Sequence, residues 1–267
     1  MLIFIVLGAL IGTVLGLTGA GGGILAVPAL VVGLGWSMQQ ATPVALMAVV
    51  AGAGIGAMDG LRHKQVRYRA AALMAVAGIP STLLGLRAAQ AMSQQLLLGL
   101  FAAVMLLVAS RLLWQAVKAG RDGIASSPIV GRVNLISGRF EWNWPTGLLL
   151  TVIGALTGFM AGLLGVGGGF VIVPLLRKFT NVSMHGIVAT SLLVITIVSL
   201  GAVITAVLHG AILPPALTFL FSAATVIGVL VGRYVSHRLS ARQVQIGFAL
   251  TLFAVALGLL TKVVTSY

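Results

Sequence analysis

Residues 16–28 read GLTGAGGGILAVP, and residues 162–174 read GLLGVGGGFVIVP. The two stretches begin 146 residues apart and are identical at eight of their thirteen positions. Each follows one apolar run and precedes another. Five glycines and a proline make a poor continuous helix but a good break between two half-helices. The repeated pattern therefore predicts two helix breaks at matching places in the chain.

The composition predicts a membrane protein that crosses the bilayer many times. Of the 267 residues, 60% are hydrophobic and only 7% are charged, whereas about a quarter of the residues in a soluble domain are charged. The formal charge of +13 lies on basic residues in short loops between apolar runs, which favours positive-inside signals and excludes a nucleic-acid-binding domain. The absence of cysteine excludes disulfides and thiolate chemistry.

The apolar runs divide the chain into two repeats of five segments. The first repeat is predicted at 1–117, a connector at 118–144 and the second repeat at 145–267. The runs lie at about 2–17, 24–35, 41–58, 70–88, 95–117, 145–164, 169–176, 186–208, 214–235 and 243–264, to within a few residues. The apolar N-terminal run has no basic residue before it, so we expect it to stay in the mature protein.

The repeat extends beyond the glycines. Ser37 and Met38 recur as Ser183 and Met184, and His63 recurs as His209, each at the same shift of 146 residues. These matches predict two copies of one five-segment unit.

Loop charges predict that the two copies have opposite orientations. The loop at 62–69 carries four Arg or Lys residues, and its counterpart at 209–213 carries none. The turn after Gly85 has only Arg87, whereas the matching turn after Gly232 has Arg233, Arg238 and Arg242. Because basic loops stay in the cytoplasm, each pair of loops lies on opposite sides, as an inverted-topology repeat requires. Both termini are then predicted outside and the connector in the cytoplasm.

The second run of each copy is too short to span a bilayer at 1.5 Å per residue. We predict that the first two runs form re-entrant hairpins, at about 2–35 and 145–176, with the glycines at their tips. The fold class is therefore an all-α polytopic membrane protein of two inverted-topology repeats, each a hairpin plus three transmembrane helices, with the tips meeting near the midplane.

Helix breaks of this kind predict an anion-binding site. The first amides of a new helix have no intrahelical partner, and they carry roughly half a positive charge at the helix end. Glycine also lets successive amides converge on a ligand. The predicted binding glycines are Gly19, Gly21, Gly22, Gly23, Gly165, Gly167, Gly168 and Gly169. Close helix packing is the alternative explanation; duplication in an inverted repeat favours binding.

Three hydroxyls early in helices complete the predicted site. Thr42 precedes a proline in the third run, and Thr190 and Ser191 lie near the matching place. They can donate to an anion at the tips or return their hydrogen bonds to their own helices; the sequence leaves both open.

His63 and His209 end equivalent helices, so the pair could gate the pathway or sense protons. Asp59 lies close to Arg62 and His63 and could relay protons or simply pair with basic neighbours. With four His, three acids and no Cys, the chain lacks the cluster that a membrane enzyme, a metal site or a cofactor site needs. We predict no metal and no cofactor.

The paired G-x-x-G-x-G-G-G-x-x-x-V-P motifs, the Ala189-Thr190-Ser191-Leu192 run and the His-Gly before the next helix resemble the TauE/SafE-type sulfite exporters, also called toluene sulfonate uptake permeases. The resemblance implies transport of sulfite, thiosulfate, sulfoacetate or other organosulfonates across the bacterial cytoplasmic (inner) membrane. It also implies that the eight glycines and the Thr-Ser pair contribute to the site. The first copy departs from it, because it has Thr42-Pro43 in place of that pair.

We therefore predict a secondary transporter that works by alternating access, with a small sulfur-containing anion and the lipid bilayer as its partners. An anion channel built on the same site and a non-transporting scaffold are the alternatives. The sequence leaves open the cargo, its direction, proton coupling and the oligomeric state, a homodimer included.

Overall fold

A computed structural model describes residues 1–19, 21–118, 143–211, 213–236 and 238–265. Within these ranges the chain forms ten α-helices and no strand. The first five are α1 Leu2–Thr18, α2 Ala26–Leu34, α3 Met38–Arg62, α4 Tyr68–Ala91 and α5 Gln94–Lys118. The others are α6 Trp144–Leu164, α7 Gly169–Phe179, α8 Met184–Leu208, α9 Pro215–Ser236 and α10 Ala241–Thr265. A single turn of 3-10 helix, Gly22–Leu25, precedes α2.

Seven of the described helices are long and apolar enough to cross a membrane: α3, α4, α5, α6, α8, α9 and α10. This confirms the predicted all-helical, multi-span class. Most of the predicted connector, residues 119–142, lies outside the described residues.

Matching side-chain caps set the starts of α3 and α8. Ser37 and Gln40 form a capping box, in which each side chain accepts a hydrogen bond from the other's backbone amide. Ser183 accepts from the amide of Gly186 in the same way. These caps start α3 and α8 a few residues before the apolar runs begin.

The two halves of the chain interlock through their first helices. α1 packs along α9 of the second half, and α6 packs along α4 of the first half. α3 packs against α8, and α5 against α10. The main helix pairings therefore keep their pattern when the two halves are exchanged, as an internal pseudo-two-fold axis requires. The opposite orientation of the halves in the membrane stays a prediction.

Glycines at every fourth position make these first helices fit. A Cβ added at Gly12 would overlap the backbone of Thr225 in α9, and one at Gly158 would overlap the backbone of Gly78 in α4. The same crowding occurs one turn before and one turn after each of them, at Gly8, Gly16, Gly154 and Gly162. This is the small-xxx-small packing of membrane helices, and it explains the first glycine of each quoted motif.

Helix α2 runs back along α1. The rings of Phe4 and Trp36 meet edge to face with centroids 5.7 Å apart. A Cβ at Gly33 would lie 2.8 Å from Leu7. Lys262, near the end of α10, donates to the carbonyl of Val31. The end of α2 therefore lies beside the start of α1, and the break between them is a turn of the chain.

Candidate functional site

The first tip, residues 19 and 21–25, joins α1 to α2. Gly19 ends α1 with a φ of 75°, and its amide donates to the carbonyl of Leu15 over 2.9 Å. A side chain at Gly22 would overlap the backbone of Leu15. Gly22 therefore lies directly on α1, and the chain makes a 3-10 turn from Gly22 to Leu25 before α2 begins.

The second tip, residues 165–169, joins α6 to α7. Gly165, Gly167 and Gly168 all have positive φ, at 71°, 71° and 69°. Gly168 is the N-cap of α7, which begins at once with Gly169. Three left-handed residues within four positions are accessible only to glycine at low cost, which gives a physical reason for the motif.

The second tip carries buried amides that have no backbone acceptor among the described residues. After Gly165, the next backbone amide in this described stretch that donates to a backbone carbonyl is that of Val171, to Gly168 over 3.0 Å. Residues 165–169 are buried. At the first tip, the next donor after Gly19 among the described residues is Ile24. Buried amides are nearly always paired, so these positions call for a water or a ligand acceptor.

The structure brings the two groups of predicted glycines together. A Cβ at Gly23 would lie 3.2 Å from the carbonyl oxygen of Val166, so the first tip touches the second. Val49, halfway along α3, contacts both: its methyl groups would lie 3.3 Å from a Cβ at Gly23 and 3.1 Å from one at Gly167.

Two hydroxyls lie against the second tip. A Cβ at Gly165 would lie 2.8 Å from the Oγ1 of Thr42, and one at Gly167 would lie 2.9 Å from the Oγ of Ser199. Thr42 was predicted; Ser199 was missed. Ser199 lies in the apolar run of α8, eight residues after Ser191 and within no motif, and only its packing against the tip distinguishes it.

Each of the three predicted hydroxyls makes a hydrogen bond within the protein. Thr42 donates to the carbonyl of Met38 over 2.8 Å, and Ser191 donates to Ile187 over 2.7 Å. Thr190 accepts from the backbone amide of Arg67 over 3.0 Å, so it fastens the loop after α3 to α8.

The two histidines make the same bond at equivalent helix ends. His63 Nδ1 lies 3.0 Å from the carbonyl oxygen of Asp59, and His209 Nδ1 lies 2.8 Å from that of Thr205. They differ in what lies beside them. The carboxylate of Asp59 lies 2.7 Å from Arg233 Nη2 and 3.4 Å from His63 Nδ1, so it ties the end of α3 to the end of α9.

A cavity of about 330 Å³ lies at the other end of α3, beside its first residues. It is lined by the start of α3, the ends of α4 and α8, and part of α6, with His209 and Leu86 on its wall. Thr42 and Gly162 also line it. Thr42 also lies against Gly165, so one residue of the cavity wall contacts the second tip. Among the residues that the structure describes, no group of acidic, His or Cys side chains could hold a metal ion.

The chain from residue 4 to residue 259 matches the family described as "Sulfite exporter TauE/SafE". The chain belongs to the TauE/SafE family. This confirms the resemblance carried by the paired glycine motifs, and the matched residues include both tips and at least part of each of the ten helices.

Relatives of this TauE/SafE chain are named as transporters. It is 25% identical over 270 residues to the probable membrane transporter protein MamO of Paramagnetospirillum magneticum, covering 93% of this chain and 42% of that protein. It is 29% identical to a probable membrane transporter protein of Xylella fastidiosa, over 70% of this chain and 67% of that protein. It is 24% identical to the probable membrane transporter protein YunE of Bacillus subtilis, over 78% of each protein. The chain spans less than half the length of the MamO proteins. No solved structure matches this TauE/SafE chain.

Proposed function

We propose that the protein is a secondary transporter that moves small sulfur-containing anions across the bacterial cytoplasmic membrane by alternating access. The cargo class is sulfite, thiosulfate, sulfoacetate or another organosulfonate. The single observation that carries the proposal is the contact of the first tip with the second, whose buried amides lack backbone acceptors among the described residues.

The backbone amides of the tips are uncharged hydrogen-bond donors that an anion can accept from. Each helix start adds roughly half a positive charge, and the buried amides are already dry, so they need little reorganisation on binding. A buried Arg or Lys would supply a full charge, but it costs about 2.5–3.5 kcal/mol at the centre of a membrane helix on insertion scales.

Access to the tips differs between the two ends of the molecule. Aligning Gly85 with Gly232 makes Leu86 the counterpart of Arg233. Leu86 lines the cavity, on the predicted outer side, whereas Arg233 pairs with Asp59 on the predicted cytoplasmic side. Equivalent positions in the two repeats therefore differ: Leu86 borders an open cavity, whereas Arg233 is held in an ion pair. This difference supports alternating access, in which a site opens to one side of the membrane at a time.

Cysteine labelling tests the orientation directly, because the natural chain has no cysteine. We expect Gln65→Cys to react with an impermeant maleimide only after the membrane is permeabilised. Ala211→Cys, in the equivalent loop, should react in intact cells. Labelling of both from the same side would rule out the inverted arrangement.

Flux into proteoliposomes tests the function. Labelled sulfite, thiosulfate and sulfoacetate are offered to purified protein, with empty vesicles as the control. We expect saturable uptake of at least one anion and acceleration by the same anion on the opposite side, which a channel does not give. Flux no faster than in empty vesicles for all three would contradict the proposal.

A further inference from the structure

Ser199 is a buried hydroxyl with no partner in the protein. Its side chain is 0% exposed, and no hydrogen-bond partner lies within reach of its Oγ. It lies on α8 at the second tip, 2.9 Å from the position that a Cβ on Gly167 would take. A buried hydroxyl without a partner is unfavourable, so one that lies against the second tip, whose amides lack backbone acceptors, indicates a missing acceptor.

Most of the other hydroxyls in the described spans behave differently. They donate to a carbonyl three or four residues earlier in their own helix, which is the common habit of membrane Ser and Thr. Examples are Ser81, Thr157, Ser191, Thr196 and Thr225. Thr218 and Ser222 share the unpartnered state of Ser199, but contact with a tip is seen for Ser199.

The first tip lacks a counterpart of this hydroxyl. The residue 146 positions before Ser199 is Ala53. The side chain next to Gly19 is Val188, and the closest to Gly21 is Phe248. Apolar groups therefore lie against the first tip where Thr42 and Ser199 lie against the second.

We propose that Ser199 is a substrate-binding residue, whose hydroxyl donates a hydrogen bond to an oxygen of the anion while the anion also accepts from the amides of the second tip. The inference rests on the proposed function and deepens it: the site is one-sided, and the second tip holds the anion more tightly than the first. Its ligand is an oxyanion with at least two acceptor oxygens, because the hydroxyl and the amides donate together.

Binding to purified protein tests the inference. Sulfite, thiosulfate and sulfoacetate are titrated against the natural protein and Ser199→Ala by thermal shift and calorimetry. We expect Ser199→Ala to weaken binding about ten-fold or more, because hydrogen bonds to charged groups are the strong ones. Without anion, its melting temperature should equal or exceed that of the natural protein, because an unpartnered hydroxyl has been removed.

Two matched variants complete the experiment. Ser81→Ala removes a hydroxyl that donates to Ala77 over 2.9 Å, and it should leave anion affinity unchanged. Ala53→Ser places a hydroxyl at the equivalent position in the first half, and it should not restore binding to Ser199→Ala.

The outcomes separate the two proposals. If the natural protein binds none of the three anions, the proposed function fails and this inference fails with it. If the natural protein binds one of them and Ser199→Ala binds it equally well, the inference is overturned while the transport proposal stands. A large loss of melting temperature in anion-free Ser199→Ala would assign the hydroxyl a structural role and also overturn the inference.

Discussion

The two tips have the same glycine motif but different structures. The first has one left-handed glycine among its described residues, a 3-10 turn and apolar neighbours. The second has three left-handed glycines, an α-helix that starts immediately, and the hydroxyls of Thr42 and Ser199 beside it. The glycine pattern determines where the helices break, whereas residues of neighbouring helices determine which side chains lie against each tip.

The comparison of the tips distinguishes the helix packing, which the two repeats share, from the side chains around the tips, which differ. Helix packing is common to both halves, because both first helices use glycines at matching positions. The Thr42 and Ser199 hydroxyls lie against the second tip, whereas the Thr18 hydroxyl near the first lies 3.8 Å from a Cβ at Gly21 and donates to Val14 over 2.8 Å. Substitutions at equivalent positions should therefore have equal effects in the packing and unequal effects at the tips.

The largest effect is expected for the shared packing. Gly12→Ala and Gly158→Ala each place a methyl group on a partner backbone that cannot move aside. Both should destabilise the protein by on the order of 3 kcal/mol, since overpacked cores cost this much. Size-exclusion profiles and melting temperatures in detergent measure this. A severe loss for only one of the two would break the symmetry of the packing.

The next effect compares equivalent tip positions. Gly167→Ala forces a side chain into left-handed backbone and against Ser199, and this should cost roughly 1–3 kcal/mol. It should also abolish most transport. Gly21, by contrast, has an ordinary φ of −85°. The atom nearest to a Cβ there is on the ring edge of Phe248, at 3.2 Å, so Gly21→Ala should keep most of the stability and the flux. Melting curves and proteoliposome uptake measure both; equal damage would contradict the one-sided site.

A smaller effect is expected at the closed end. Asp59→Asn removes the ion pair to Arg233, whose two side chains are 45% and 34% exposed. Exposed pairs contribute about 0–1 kcal/mol, so accessibility should shift toward the cytoplasm by up to about five-fold. Maleimide labelling of Leu86→Cys, on the cavity wall, should slow accordingly. Unchanged labelling would show that the pair does not hold this end closed.

The smallest effect is expected at Thr42. Its hydroxyl already donates to Met38, so Thr42→Val should slow transport by only about two- to three-fold. The mirror change Val188→Thr, beside Gly19, should leave transport unchanged. Initial uptake rates measure both. A loss as large as that of Ser199→Ala would mean that Thr42 turns its proton toward the anion.

The sequence predicted the helices and the positions of both breaks, because apolar length and glycine clustering are local signals. It also predicted Thr42 near the tips, without indicating which of the two it contacts. It did not predict Ser199, because contact between α8 and the tip depends on the tertiary fold. Thr190 illustrates the same limit: its hydroxyl accepts a hydrogen bond from the loop at Arg67, which no pattern in the chain indicates. The turns at the two tips differ although Gly22 and Gly168 both lie on the backbone of the preceding helix, at Leu15 and Thr157, so the glycine pattern alone does not predict the difference.

The exchange of first helices between the halves has a consequence for biogenesis. α1 is translated before α9, the helix that covers its glycine face, with seven of the described α-helices between them. The small-residue surface of α1 therefore stays in lipid, or against insertion machinery, until α9 has been translated. α6, by contrast, finds α4 already in the bilayer as it emerges. Truncation within α9 should therefore leave α1 without its docking partner.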